Sequence, residues 1–328
     1  MNEEMPAPGV EQLLLADAAA QVQQVVLEEN GVFVRGLLYV SALCTVEGKQ
    51  FVTLTQQIPF ENVVPVELDM QSKNVGVTPT VQDFNLSIGV TGNLEVRASV
   101  QLEARSITQE RVHALSDAYA PDGCCVCRQE EVESLSPNAF VTQICALPER
   151  VRVPEGKPDA CRTVHASAQP TVLGVSDKDG QLSVNGLLVT SVVYQTKDGV
   201  LIGFDEDVPF SCLMDAPYLP DAEVTVRVLE ARGSGSGRML NVNFTLEAQA
   251  VLNEVSHVTL ATDAAPAEPV MRVAGIMVSF AAAGGTFWEV GKQFGVTGQQ
   301  LQAWNPKLAE PFEEGCPIVV LSSAGRRR

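Results

Sequence analysis

Aromatic residues are scarce in this chain. Phe, Tyr and Trp make up 5% of 328 residues, so any core must be built from Val, Leu, Ala and Ile. Positive charge is also short: 22 Lys and Arg stand against 40 Asp and Glu, for a net charge of -18. A nucleic-acid binder needs a basic face, and no Lys/Arg cluster precedes Arg326-Arg327-Arg328. The same deficit disfavours attraction to an anionic membrane. The three-Arg tail reads as a solvated end. No stretch approaches the ~20 apolar residues of a membrane helix, since Asp17 interrupts Leu13-Leu14-Leu15-Ala16. The start, Met1-Asn2-Glu3-Glu4-Met5-Pro6, lacks the basic and apolar segments of an export signal. A cytoplasmic location is therefore expected.

Catalytic vocabulary is missing too. His113, His165 and His257 lie far apart, each flanked by apolar or small residues. None belongs to an HExxH, GxSxG or Cys-His signature, and no Rossmann or P-loop fingerprint occurs. The acidic groups Asp205-Glu206-Asp207 and Glu313-Glu314 fall beside turns and read as solvated loops rather than cation sites. A non-enzyme without cofactor or metal is expected. Eight cysteines are present: Cys44, Cys124, Cys125, Cys127, Cys145, Cys161, Cys212 and Cys316. Without an export signal they are expected as reduced thiols, whereas export would make them disulfides. The Cys124–Cys127 cluster reads as a thiol-rich strand or loop, because no second CxxC or nearby HxxxH completes a zinc site.

At roughly 100–200 residues per domain, the length allows two or three domains, and a hydrophobic content of 45% allows sizeable cores. Comparison of the chain with itself shows a duplication. Gly36-Leu37-Leu38 matches Gly186-Leu187-Leu188, and Ile58-Pro59-Phe60 matches Val208-Pro209-Phe210, both at an offset of 150. Beyond the Pro-Phe turn the offset is 146, where Leu94-Glu95-Val96-Arg97-Ala98 meets Leu240-Asn241-Val242-Asn243-Phe244. The repeated segments alternate apolar and polar residues, the period of a strand with one face in a core. Val10 to Glu28 and its counterpart near Thr171 are read as strand as well. Asp177-Lys178-Asp179-Gly180, Lys197-Asp198-Gly199 and Glu47-Gly48-Lys49 are hairpin signals. Gly233-Ser234-Gly235-Ser236-Gly237 reads as a flexible hairpin tip, since it lacks the GK[ST] of a phosphate loop.

These features predict a mainly β chain of two tandem antiparallel sandwich-like modules. The first spans 8–113, a connector 114–135, the second module 136–258. The second has a lead-in from Phe140 to Asp159 that the first, starting near Pro8, has no room for. The first module is therefore expected to lack one or two edge strands. Its open edge is expected to be covered by a segment such as 124–131 or by another chain, which makes it a site of self-association. Residues 259–270 read as an Ala/Pro-rich tether. At 271–322, Gly284-Gly285-Thr286-Phe287-Trp288, Val290-Gly291-Lys292, Phe294, Thr297, Leu301 and Trp304-Asn305-Pro306 mark two short helices between a glycine turn and an Asn-Pro turn. An apolar run from Ile318 to Leu321 closes the segment. Thr286 is placed as a helix N-cap; Phe287, Val290 and Phe294 recur at helical spacing as core.

That terminal pattern resembles a LysM domain, which implies a β-α-α-β fold. Such domains usually bind N-acetylglucosamine polymers in a groove between a Gly-Asp-Thr turn and an Asn-Pro turn. The resemblance places the groove at Gly284, Gly285, Thr286, Phe287, Trp288, Trp304, Asn305 and Pro306. Here Gly285 replaces the Asp, and Ser279 and Ala281 replace an aromatic and a valine, which favours protein recognition over sugar. The duplicated units resemble the SPOCS family of spore-coat-associated β modules. The resemblance rests on Val153-Pro154-Glu155-Gly156-Lys157-Pro158-Asp159, the two Pro-Phe turns, the Leu-x-Val-x-Ala strands and Ser116-Asp117-Ala118-Tyr119. SPOCS modules followed by a C-terminal LysM are similar to clostridial coat adaptors of the mother cell, in which the LysM docks a coat morphogenetic ATPase at the forespore surface. The implied partner is that ATPase or another coat protein. The rival implication is a cell-wall protein that binds peptidoglycan.

Overall fold

The computed structural model describes residues 1–28, 31–47, 50–65, 74–108, 112–121, 125–266 and 274–322. Cys124, Gly48-Lys49 and the Arg tail, all singled out in the sequence, lie outside the described residues. The chain divides into two compact units, 1–110 with 135–254 and 111–134 with 255–328.

The first unit is mainly β and repeats one strand plan twice. The first copy comprises β1 (Asn2–Met5), β2 (Val10–Glu28), β3 (Gly31–Val46), β4 (Gln50–Val64), β5 (Asn74–Ile88) and β6 (Leu94–Ile107). The second comprises β7 (Cys125–Arg152), β8 (Arg162–Lys178), β9 (Gln181–Gln195), β10 (Leu201–Pro217), β11 (Glu223–Ser234) and β12 (Met239–Pro266), with residues 125–134 of β7 and 255–266 of β12 falling in the second unit. In each copy one sheet takes the order β2-β3-β4 or β8-β9-β10, and the other β1-β6-β5 or β11-β12-β7. Strand corresponds to strand throughout, and the β2–β3, β3–β4, β5–β6 and β8–β9, β9–β10, β11–β12 pairs are antiparallel.

Alternation explains the burial. Leu94, Val96 and Ala98 are buried while Arg97 and Ser99 are exposed. In the first copy they meet Leu38, Val40 and Ile58 from the other sheet in one core. In the second copy Leu240, Val242 and Phe244 meet Leu188, Val192 and Phe210. The β8–β9 turn bears out its hairpin signal. Asp179 and Gly180 both take positive φ (56° and 83°) between the paired residues Lys178 and Gln181, which a two-residue hairpin requires and a glycine supplies without strain. The Val153-to-Asp159 motif owes its shape to its surroundings. Arg238 donates to Lys157 O (2.8 Å) and to Pro154 O (3.3 Å), and the Tyr194 hydroxyl donates to Pro158 O at 2.8 Å.

Four expectations need correction. The first copy does not lack its edge strand: β1 pairs with the start of β6, Asn2 opposite Arg97 through Met5 opposite Leu94. The Met1 amino group adds a bond to Ala98 O at 2.7 Å. β1 thus occupies the edge for which residues 124–131 or another chain were expected as cover. Four mostly polar residues are too few to show a period, but burying Met5 in the core is enough to seat them. The Gly233–Gly237 tip is held rather than flexible. Gly237 and Ala160 exchange bonds of 2.7 and 3.1 Å, and Thr163 N donates to Gly235 O at 3.0 Å. The cysteines are not all free thiols: a disulfide joins Cys145 on β7 to Cys212 on β10, with Cα atoms 6.0 Å apart. The expected tether at 259–270 is strand as far as Pro266, the last residue of β12; residues 267–270 lie outside the described residues.

The second unit holds the remaining elements, β13 (Gly275–Phe280), α1 (Phe287–Phe294), α2 (Gly298–Trp304) and β14 (Pro317–Ser322), in β-α-α-β order. β13 and β14 are antiparallel neighbours. Among the described residues no helix is long and apolar enough to cross a membrane.

Candidate functional site

The terminal β-α-α-β segment is built from its helix ends inward. Thr286 caps α1, and Glu289 returns a bond to the Thr286 backbone; Thr297 and Gln300 do the same for α2. Each capping box satisfies donors that a helix N-terminus leaves orphaned. Glu310 supplies a further acceptor to Phe287 N. Gly295 ends α1 in the left-handed conformation (φ 61°), which favours glycine. Phe287, Val290, Leu301, Phe312, Ile318 and Val320 form the core, and the Phe287 and Phe312 rings meet edge-to-face at 4.8 Å.

The eight residues expected to line a groove divide between interior and surface. Phe287 is part of the core, and Trp304 is half-buried against it. Asn305 is buried and works as a clamp. Its Nδ2 donates to Leu301 O and Val319 O, and its Oδ1 accepts from Val319 N, each at 2.8 Å. The side chains of Phe287 and Asn305 are thus withdrawn from any surface groove, because the fold uses them. Around the glycine turn the backbone is also engaged: Gly284 N donates to Phe312 O, and Phe312 N to Gly285 O, both at 2.9 Å. Thr286 is half-buried as the N-cap, while Gly284, Trp288 and Pro306 remain exposed.

Sequence reasoning missed the apolar outer face of the two-stranded sheet. Ile276 opposes Leu321, Val278 opposes Val319 and Phe280 opposes Pro317. Side chains at alternate strand positions share a face, so these six lie together. Ile276 is 76% exposed, Val278 55% and Phe280 70%. The alternation Ile276, Val278, Phe280 was the available signal, but alternation does not say which face is covered.

The outer face of α1 carries Trp288 and Lys292, one helical turn apart and so neighbours on one side. The segment Asp117–Tyr119 lies against them. Asp117 Oδ2 accepts from Trp288 Nε1 at 3.2 Å, and both of its oxygens accept from Lys292 Nζ at 2.8 and 2.7 Å. The Lys292 bond holds the Asp117 carboxyl below its ordinary range, against the upward push of desolvation. The Tyr119 ring stands edge-on to Trp288 at 4.7 Å, and its hydroxyl donates to Val296 O at 2.9 Å.

In the first unit, a cavity of about 300 Å³ opens beside both copies, lined by Asp17, Tyr39, Gln56, His165, Glu230 and Arg232. Tyr39 donates to Gln21 Oε1 at 2.8 Å, and Glu230 pairs with Arg232 at 2.6 Å. Burial pushes the Tyr39 hydroxyl pKa up, helped by the charges of Glu230 and Glu247. His165 is 8% exposed, and its Nδ1 has no partner. Desolvation holds its pKa below the ordinary value, opposed by the Asp17 charge. Glu247 is fully buried at a position where β12 alternation predicts a solvent-facing residue. It pairs with Arg227, whose guanidinium also reaches Pro79 O. Burial raises the Glu247 pKa, and Arg227 lowers it less. Gln56 Oε1, Arg227 Nε and Glu247 Oε1 lack partners as His165 Nδ1 does.

His113 and His257 are exposed, and His257 lies 3.9 Å from Glu131. Asp205 accepts the Ser191 hydroxyl at 2.5 Å. Among the described residues no three His, Cys, Asp or Glu side chains gather into a metal-binding group. Comparison with protein-family models, curated proteins and solved structures finds no match for this chain.

Proposed function

We propose that the chain is a non-catalytic adaptor in assembly of the spore coat or envelope. In this reading the duplicated β units are SPOCS-type, sandwich-like modules that serve as a scaffold. The terminal β-α-α-β segment is a LysM-type module that docks a protein partner. The sequence resemblances point to a coat morphogenetic ATPase or another coat protein, met on the mother-cell side of the forespore.

The observation that carries the docking role is the outward apolar face of β13 and β14. Contiguous exposed apolar side chains mark protein-interaction surfaces, and Ile276, Val278 and Phe280 present such a stripe with Leu321 beside them. Sugar recognition instead needs polar groups beside an apolar floor. That face has none, and Asn305, the polar side chain expected in the groove, is spent on the clamp. Joining a docking module to a multimerising scaffold raises effective concentration, with gains of roughly 10²–10⁴ where geometry permits.

The test uses the full chain and a Val278→Glu/Phe280→Glu variant as baits in sporulating-cell extract, alongside a binding assay on purified peptidoglycan. The adaptor reading expects the full chain to retain a coat ATPase or coat protein, the variant to lose it, and neither to be held by peptidoglycan. Saturable retention on peptidoglycan, unchanged in the variant, supports the cell-wall reading and overturns this one.

A further inference from the structure

The Ser-Asp-Ala-Tyr motif has no part in the scaffold or in the sheet-face docking, yet two of its side chains are bound by α1 and the turn that follows it. The motif is fixed at its start. Leu115 O accepts from Ala261 N and Ser116 O from Gln129 Nε2, both at 2.8 Å. Three features of the next residues are then read separately by the α1 face. The carboxylate of Asp117 meets the Lys292 ammonium and the Trp288 indole N–H. The Tyr119 ring packs edge-on against Trp288. The Tyr119 hydroxyl reaches the Val296 carbonyl.

That last contact depends on Gly291. A Cβ there would overlap the Tyr119 hydroxyl and the Val296 oxygen, so a bare backbone keeps the carbonyl approachable. Glycine inside a helix costs about 1 kcal/mol relative to alanine; the close approach supplies the reason for it. Trp288 and Lys292, by contrast, contribute nothing to the core of the module. A charge, an aromatic edge and a buried-side acceptor, spaced for a carboxylate and a phenol two residues apart, constitute a recognition site.

We propose that the α1 face formed by Trp288, Gly291, Lys292 and Val296 O is a peptide-binding site for Asp-x-Tyr segments, occupied in this chain by its own Asp117-Ala118-Tyr119. The partner class is a protein that presents an acidic residue two positions before a tyrosine. This surface is distinct from the β13–β14 face, and the inference does not rest on the adaptor reading. Because the resident segment is intramolecular, it acts at an effective concentration on the order of millimolar. An external segment gains access only when the resident one is displaced or disabled.

The test is fluorescence anisotropy with a labelled synthetic peptide of residues 113–121 against the full-length protein. The Asp117→Ala/Tyr119→Ala chain should bind the peptide saturably and at least tenfold more tightly than the wild type. Asp117→Asn, which keeps the shape of the side chain, should give an intermediate gain and serves if the double variant is unstable by circular dichroism. Adding Lys292→Glu to either opened chain should abolish binding of the native peptide and create binding of a peptide with Lys in place of Asp. Absence of saturable binding to a folded opened chain, or binding that survives Lys292→Glu, overturns the proposal.

Discussion

Gly186 lies opposite Phe210 across the β9–β10 ladder, and the Phe210 ring fills the space a side chain at 186 would need. Gly36 and Phe60 repeat the arrangement in β3–β4. On its other side each glycine abuts a carbonyl oxygen, of Thr171 or of Gln21. The duplicated Gly-Leu-Leu and Pro-Phe motifs are thus the two halves of a single cross-strand contact.

A Gly186→Ala substitution would force the ring and the backbone apart. Overpacking of this kind costs about 1–3 kcal/mol. Gly203→Ala is the control, since the nearest atoms to a Cβ there are 3.9 and 4.0 Å away; a surface change of that kind stays within about 0.5 kcal/mol. Urea unfolding of the two variants checks the difference. Equal losses would show that the glycine is not required by the ring.

The Cys145–Cys212 bond ties the two sheets of the second copy across 67 residues of chain. The loop-closure model gives about 4 kcal/mol for a loop of that size. Dithiothreitol should therefore lower the thermal midpoint of the wild type and leave a Cys145→Ser/Cys212→Ser variant unmoved. A wild-type midpoint indifferent to reductant rules the bond out as a stabilising feature.

How much of this was written in the sequence depends on how local the signal is. The strands of both copies were legible because one face is buried and the alternation runs long enough to be read. The two helices were legible from the Thr286 cap and the helical spacing of Phe287, Val290 and Phe294, whereas the return bonds of Glu289 and Gln300 that complete the two capping boxes were not. What escaped depends on placement. β1 is too short for a period, and Glu247 occupies a polar position of its strand but is enclosed by the fold. The disulfide partner of Cys145 cannot be deduced from spacing. In the candidate site, residue types pointed to Trp288 and Asn305 alike, yet a turn motif does not say which side chain faces inward. The apolar stripe of β13 reads the same whether covered or bare.

The inward Asn305 makes a sharp prediction about the terminal segment. Asn305→Ala removes three bonds and leaves Val319 N and O without their partner. Each buried group left unsatisfied costs about 1–3 kcal/mol. Asn305→Asp should be worse, because a carboxylate would face the Leu301 and Val319 carbonyl oxygens with no proton to offer. Hydrogen exchange should accelerate across residues 275–322 in both variants and stay unchanged in the strands of the first unit. A tolerated Asn305→Asp would contradict the clamp.

His165 provides the pH dependence. Its folded pKa lies below the ordinary 6.5 because burial disfavours the imidazolium, with Asp17 opposing. Below 6.5 the unfolded chain takes up a proton that the native one does not, so its contribution to stability is present above that value and is lost as pH falls toward the folded pKa. Glu247 acts in the opposite sense. Its raised pKa makes the native state relatively more stable on the acid side of its own window, which opens near the ordinary carboxylate value of 4.5. Both groups contribute to one stability curve, so the wild-type curve alone does not separate them, whereas the difference between wild type and His165→Gln isolates the histidine. Urea midpoints from pH 5 to 7.5 should show wild type losing more stability toward acid than His165→Gln does. Parallel curves would mean that the imidazole is protonated, or solvated, within the fold.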